Sequence, residues 1–342
     1  MKYISLGNLT FQYLYPFFLS LSCFSQFIVE QKYVGVKNQN TIAYNSRFLF
    51  AILVDIISML LCGILQLISM YSNTTKEKRF ELLGENKWKI FFHLISLSLI
   101  TLITNCIPLF VISNELTIEI SKSNQIIMCL ILSYLCLNIK NYKHHYLSII
   151  IVYITSALIC ISKLIMNKNE ELNIIDISLV QLYYFLYTSM EVYEKWIMKN
   201  YFFPPYLLLF SKGITCFLFY SILWIIFDFI PFMKTQFIDY NYIVSNCSYL
   251  FLDLVFSFIL NIFRIQTLFI FTPTYRYIAD ISVLFYLFLF KMNTINYSLI
   301  VFIMFSLGYI IILFSICIYM EIFILNIWGM NENTLKQINL RA

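Results

Sequence analysis

The chain has 342 residues, of which 61% are hydrophobic and only 12% are charged, and its formal net charge is +5. Soluble domains are about half apolar and about a quarter charged, so this composition excludes a soluble globular protein and indicates one embedded in a lipid bilayer. The nine cysteines are scattered without a CxxC pair, and no basic patch with interleaved aromatic residues is present. We therefore predict no disulfide framework, no metal, no cofactor and no nucleic-acid partner.

Long apolar runs follow one another along the whole chain. A helix that crosses a bilayer needs about 20 apolar residues. In chain order the candidate spans are residues 10–30, 47–71, 88–112, 115–137, 145–165, 173–197, 206–230, 248–271, 274–291 and 296–326. They predict an all-α membrane protein with about ten transmembrane helices. Lysine and arginine are more numerous in the loops on the side that would hold both termini, so we predict that both termini are cytosolic.

The two halves of the chain show the same order and spacing of spans. In each half the third span runs into the fourth almost without a loop, at residues 113–114 in the first half and 272–273 in the second. A short polar link then leads to the fifth span. Five is an odd number, so the second half would enter the membrane upside down. This predicts two inverted five-helix repeats, residues 1–170 and 171–342, the second ending in a short cytosolic tail.

Short motifs give the chain a resemblance to a known family. They are the stretch IIMCLILSYL at residues 126–135, MEVYEKW at 190–196, PPY at 204–206 and the pair Lys212-Gly213. This pattern resembles the drug/metabolite transporter superfamily, with its EamA and nucleotide-sugar-transporter-like members, and in particular the F-type branch of solute-carrier-35. The resemblance implies that the fourth and ninth spans line a central cavity. Lys212 stands where the F-type pattern has an acidic residue.

Charged side chains lie on the two spans that the resemblance assigns to the cavity. Glu119 and Lys122 are three residues apart on the fourth span, and Arg276 and Asp280 are four apart on the ninth. These spacings place each pair on one helix face. We predict Lys122, Arg276 and Tyr277 as substrate-binding residues, because a buried cation would receive an anionic substrate. Glu119 and Asp280 would carry a coupling proton or orient the cations. The alternative is that each pair only neutralises itself.

Other charges lie deeper in the spans. Arg264 is flanked by apolar residues on both sides, so it needs a partner, for which Asp55, Asp280 and the substrate are the candidates. We predict Arg264 as a fourth substrate-binding residue and Asp55 as a third coupling or orienting residue. Glu191 and Lys212 lie on consecutive spans, and we predict that they form a structural pair. Contact with the substrate is the alternative for this pair.

Catalysis finds no support in the sequence. Motifs such as HExxH, GxSxG, GxGxxG and the P-loop are missing, so we predict that the protein is not an enzyme. His93 lies alone on an apolar face of the third span. A packing histidine held by hydrogen bonds is the favoured interpretation, and a proton relay is the alternative.

Together these features predict a secondary-active transporter or exchanger that moves a small polar metabolite, anionic or zwitterionic, across an internal membrane by alternating access. One alternative is a proton-coupled exporter of cationic or amphipathic compounds. Another is a membrane scaffold or receptor that transports nothing. The expected partners are a small-molecule substrate and the lipid bilayer, and a homodimer is left open. The resemblance favours a Golgi, endosomal or vacuolar membrane over the plasma membrane.

Overall fold

The structure is a computed structural model of the chain. It describes residues 18–19, 21, 25, 41–72, 87–110, 115–139, 141–166, 174–229, 247–278, 299–319 and 321. Eight helices have their bounds within these residues. They are α1 (Thr41–Ser72), α2 (Lys87–Phe110), α3 (Glu115–Leu137), α4 (Lys143–Met166), α5 (Ile174–Asn200), α6 (Pro205–Phe229), α7 (Cys247–Ile270) and α8 (Leu299–Tyr319). A short helical segment at residues 273–278 lies between α7 and α8.

The described part of the chain is all-helical, which confirms the all-α part of the predicted fold class. Each of the eight helices coincides with one predicted span. The first and ninth predicted spans, residues 10–30 and 274–291, lie mostly outside the described residues. Among the described helices, three are long and apolar enough to cross a membrane, over Lys87–Ile107, Pro205–Ile226 and Ser248–Ile270. The ten-helix count and the inverted repeat stay predictions.

The described residues fall into two compact units. Those within residues 1–112 and 189–270 form the first unit, and those within 113–188 and 271–342 form the second. A packing unit and a sequence repeat are different properties, so the predicted repeat boundary at residue 170 also stays a prediction. The chain changes unit within α5, after Thr188.

Helix α1 is the centre of the first unit, where it packs against both α6 and α7. Gly213 on α6 allows the close approach of α1. A Cβ atom at Gly213 would lie 3.2 Å from the backbone nitrogen of Leu60 and 3.2 Å from Cβ of Met59. The contact is therefore made partly by backbone, which a larger side chain at residue 213 would push apart.

A tight turn joins α5 to α6. Asn200 ends α5, and Phe202 adopts a left-handed backbone conformation with φ of 52°. Pro205 begins α6, where its missing N–H is not needed for helical hydrogen bonding. The carbonyl of Pro204 accepts a hydrogen bond from the amide of Leu208. The turn therefore reverses the chain within the four residues between Asn200 and Pro205.

His93 on α2 lies among aromatic residues of the first unit. Its Nδ1 atom is 2.6 Å from the hydroxyl of Tyr193, and its Nε2 atom is 3.1 Å from the hydroxyl of Tyr201. The ring also contacts Trp196, with centroids 5.1 Å apart. His93 is therefore hydrogen-bonded, as expected for a packing histidine, and the proton relay stays the alternative.

In the second unit α4 packs against α3 and α8. The hydroxyl of Ser148 donates a hydrogen bond of 2.5 Å to the carbonyl of Ser315 and so ties α4 to α8. The outer face of α4 is apolar. Ile150, Ile154 and Leu158, each four residues apart, are all more than half exposed. Such a stripe suits contact with lipid tails better than contact with water.

Candidate functional site

Four charged side chains are buried together in the first unit. Glu191 and Glu194 lie on α5, Lys212 lies on α6 and Arg264 lies on α7, and each is at most 4% exposed. Nη1 of Arg264 donates to Oε2 of Glu194 at 2.7 Å and to Oε1 of Glu191 at 3.2 Å, while its Nη2 donates to Oε1 of Glu194 at 3.3 Å. Nζ of Lys212 donates to Oε1 of Glu194 at 2.8 Å. We call these four residues the charge network.

Local structure explains how these residues meet. Glu191 and Glu194 are three residues apart, so they share one face of α5. The tight turn after α5 returns the chain beside this face and places Lys212 two turns into α6. Helix α7, which carries Arg264, packs against α6. The sulfur of Met190 lies 3.3 Å from Nζ of Lys212 and lines the apolar side of the network.

The charge network is balanced, with two carboxylates against two cations. Glu194 is its centre, because both of its oxygens accept a hydrogen bond from Arg264 and one also accepts from Lys212. Two parallel N–H···O bonds from one guanidinium are the strongest arrangement for such a pair. The balance matters because an unpaired charge buried in a membrane protein is costly.

Polar residues extend from this network along one face of α7. Asp253, Ser257, Asn261 and Arg264 follow one another at spacings of four, four and three residues, and all four side chains are buried. These spacings are those of a single helical stripe. We call these four residues the α7 polar stripe. It lies on one of the three helices that are apolar enough to cross a membrane.

Helix α1 supplies the partners for the middle of the stripe. Nδ2 of Asn261 donates to Oδ1 of Asp55 at 2.9 Å and to the hydroxyl of Ser58 at 2.7 Å. The hydroxyl of Ser58 in turn donates to the backbone carbonyl of Asp55 at 2.7 Å. The first unit therefore contains a buried polar interior to which α1, α5, α6 and α7 contribute.

The second unit holds another buried cation, Arg276. It is 2% exposed, and Nη2 donates to the hydroxyl of Tyr187 at 3.2 Å. The guanidinium carbon lies 5.3 Å from the ring centroid of Tyr187 and 4.8 Å from that of Tyr277. Both distances are within the range of cation–π attraction. Two tyrosines therefore lie against the guanidinium of Arg276.

The structure pairs the deep charges differently from the sequence prediction. Arg264 contacts Glu191 and Glu194, whereas the sequence suggested Asp55, Asp280 or the substrate. Asp55 instead accepts a hydrogen bond from Asn261. The predicted partners Glu191 and Lys212 belong to the same network, but the contact of Lys212 at 2.8 Å is with Glu194. Arg264, for which a partner was predicted, and the predicted pair Glu191 and Lys212 therefore belong to one network.

Other predicted site residues are less well defined by the structure. Asp280 and the side chain of Glu119 lie outside the described residues. Lys122 is partly buried on α3. The roles predicted for the charges of the fourth and ninth spans therefore stay predictions. Sequence reasoning missed Glu194, although the spacing of Glu191 and Glu194 on one helix face was a usable signal.

Three side chains at one end of the second unit have the chemistry of metal ligands. His144, His145 and Glu321 each offer one ligand atom, and these atoms lie within 4.8 Å of one another. Nε2 of His144 is 3.2 Å from Oε1 of Glu321. Nδ1 of His145 accepts a hydrogen bond of 3.2 Å from the amide of Tyr142, which places the ring proton of a neutral His145 on Nε2. That tautomer leaves His145 no lone pair for a metal, so of the three side chains only His144 and Glu321 could offer ligand atoms.

No protein-family model matches the sequence, and no curated protein is significantly similar to it. Over the described residues the protein is all-helical, and three of these helices are long and apolar enough to cross a membrane, which indicates a membrane protein.

Proposed function

We propose that the protein is a secondary-active transporter or exchanger of the drug/metabolite type, which moves a small polar metabolite, anionic or zwitterionic, across an internal membrane by alternating access. In this proposal two inverted five-helix repeats rock against each other around a cavity near the middle of the bilayer. The substrate enters from one side in one state and leaves to the other side in the second state.

The observation that carries this proposal is the polar interior of the first unit. Ionisable residues inside membrane helices face the bundle interior or a water-filled cavity, and they mark substrate and ion pathways more often than they serve packing. The charge network and the α7 polar stripe place seven ionisable or polar groups inside helices whose outer faces are apolar. A scaffold that only needs to stay in the membrane gains nothing from burying so many polar groups, since well-packed apolar side chains stabilise at least as well.

Arg276 is the residue that we propose as the primary contact for the substrate. The rings of Tyr187 and Tyr277 fix the plane of its guanidinium. A fixed guanidinium binds a carboxylate or phosphate through two parallel hydrogen bonds, and less conformational entropy is lost when it is already oriented. Arg264 contacts the carboxylates of Glu191 and Glu194, so we infer that its role is to hold α5 and α7 together.

Counterflow in proteoliposomes tests the proposal. Vesicles with purified protein are loaded with pooled cytosolic metabolites, and uptake of a labelled pool is compared between wild type, Arg276→Ala and Lys143→Ala. Lys143 is an exposed cation of the same unit and serves as the matched control. We expect uptake by wild type and Lys143→Ala that falls at least about tenfold in Arg276→Ala, since one hydrogen-bonded charge contributes about 1.5–3 kcal/mol.

Each result assigns the protein differently. Absence of uptake by folded wild-type protein would favour the scaffold or receptor. Equal uptake by wild type and Arg276→Ala would keep the transporter and exclude Arg276 as the substrate contact. Subdividing the pool after a positive result identifies the substrate.

A further inference from the structure

Asp253 differs from the other buried carboxylates of the first unit. It is 1% exposed on α7, and its Oδ1 atom has no hydrogen-bond donor among the described residues. The hydroxyl of Ser257 donates a hydrogen bond to its carboxyl group. One oxygen of a deeply buried carboxyl group therefore faces protein without a donor, which is costly for an ionised carboxylate.

The charges around Asp253 make ionisation still less favourable. Helix α7 packs against α1 and α6. On α1 the nearby charged group is Asp55, and the two carboxylates repel each other. On α6 the buried cation is Lys212, which is bound to Glu194. On α7 itself the cation is Arg264, eleven residues away and bound to Glu191 and Glu194.

The described polar interior of the first unit therefore has four carboxylates against two cations. Both cations are engaged by the two glutamates, which leaves Asp55 and Asp253 to be balanced. Asp55 is partly exposed and accepts a hydrogen bond from Asn261, so it is the better supported of the two. Asp253 is therefore the carboxylate whose negative charge is least compensated in the described interior.

We propose that Asp253 binds an exchangeable monovalent cation, either a proton or Na⁺, and that this ion neutralises the polar interior of the first unit. A proton would make the carboxyl group neutral and give Oδ1 or Oδ2 an O–H donor. A sodium ion would take the oxygens of Asp253 and Ser257 as ligands, because hard cations prefer carboxylate and hydroxyl oxygens. The bound cation would also be the coupling ion that drives transport. This coupling role rests on the proposed function.

Occupancy of Asp253 is measured first, without transport. Infrared spectra of the purified full-length protein in nanodiscs at neutral pH are recorded for wild type, Asp253→Asn and Asp176→Asn. Asp176, a partly exposed residue in the first turn of α5, is the matched control. Thermal unfolding is measured in parallel in sodium chloride and in choline chloride.

Bound protons and bound sodium give different results. A proton gives a carboxylic-acid C=O band in wild type and Asp176→Asn that disappears in Asp253→Asn. Sodium gives no such band, but it raises the unfolding temperature of wild type over choline, and Asp253→Asn abolishes this rise. Asp253→Glu serves as a second variant in case Asp253→Asn fails to fold. If a proton is bound, Asp253→Glu should keep the acid band at a shifted frequency; if sodium is bound, it should keep the rise in unfolding temperature.

The proposal is overturned if wild type shows neither the acid band nor the sodium effect, or if either signal is unchanged in Asp253→Asn. The coupling role is tested in the proteoliposomes. Asp253→Asn should lose accumulation driven by an ion gradient, whereas Asp176→Asn should retain it. Wild type without counterflow would refute the transporter and leave the ion site standing, whereas negative spectroscopy would refute the ion site and leave the transporter standing.

Discussion

Replacement of Glu194 by glutamine tests the charge network most directly. The side chain keeps its size and loses its charge, so Lys212 and Arg264 are left with Glu191 as their one carboxylate in the network. Glu194 accepts three of the four hydrogen bonds that join the network's cations to its carboxylates, at 2.7, 2.8 and 3.3 Å. Removing one partner of a buried ion pair costs about 3–5 kcal/mol. We expect Glu194→Gln to lower the free energy of unfolding by that amount.

Two further variants separate the charge effect from a general loss of packing. Glu191 makes one contact with Arg264, at 3.2 Å, so Glu191→Gln should cost about 1.5–3 kcal/mol. The double variant Glu194→Gln/Lys212→Met removes one charge of each sign. It should be more stable than Glu194→Gln alone, because it restores the balance of the network.

The assay is reversible unfolding of the purified protein in mixed micelles with increasing SDS. The reasoning fails if Glu194→Gln costs less than about 1 kcal/mol, which would mean that the pair is not desolvated. It also fails if Glu191→Gln is the more damaging single substitution, or if the double variant is less stable than Glu194→Gln.

Two other predictions use the same unfolding assay. Gly213→Val should destabilise the first unit by about 1–3 kcal/mol, because its side chain would collide with α1 near Leu60 and Met59; a gain in stability would contradict the close packing of α1 and α6. His93→Phe should cost about 1–2 kcal/mol, since the hydroxyls of Tyr193 and Tyr201 lose their partner. A neutral result for His93→Phe would show that these hydrogen bonds are replaced by solvent.

The positions of the helices were accessible to sequence reasoning because a bilayer imposes a minimum length on apolar runs. The predicted span 115–137 coincides with Glu115–Leu137, and the predicted span 206–230 differs from Pro205–Phe229 by one residue at each end. The start of α1 was predicted less accurately. Thr41 begins the helix, six residues before the predicted span at 47, since a helix continues through polar residues that hydropathy assigns to a loop.

The partners of the buried charges were harder to predict. The sequence identified Arg264 as a residue that needs a carboxylate, but Glu194 lies 70 residues away in the chain. Helix periodicity gives the face on which a residue lies and leaves open which helices pack together. For the same reason the sequence pointed to Asp55 without revealing that Asn261 is its partner.

The spacing of the network along the chain also bears on how the protein is made. Glu191 and Glu194 place two charges on α5, which is not among the three described helices that are apolar enough to cross a membrane unaided. A charged residue at the centre of a helix costs about 2.5–3.5 kcal/mol when the translocon releases it into lipid. Lys212 follows Glu194 by only 18 residues, so α5 and α6 can leave the translocon together as a hairpin with one ion pair already formed. Arg264 is synthesised 70 residues after Glu194, and its arrival neutralises the charge that the hairpin still carries. This order of synthesis would let the α5–α6 hairpin form first and then recruit α7 by charge.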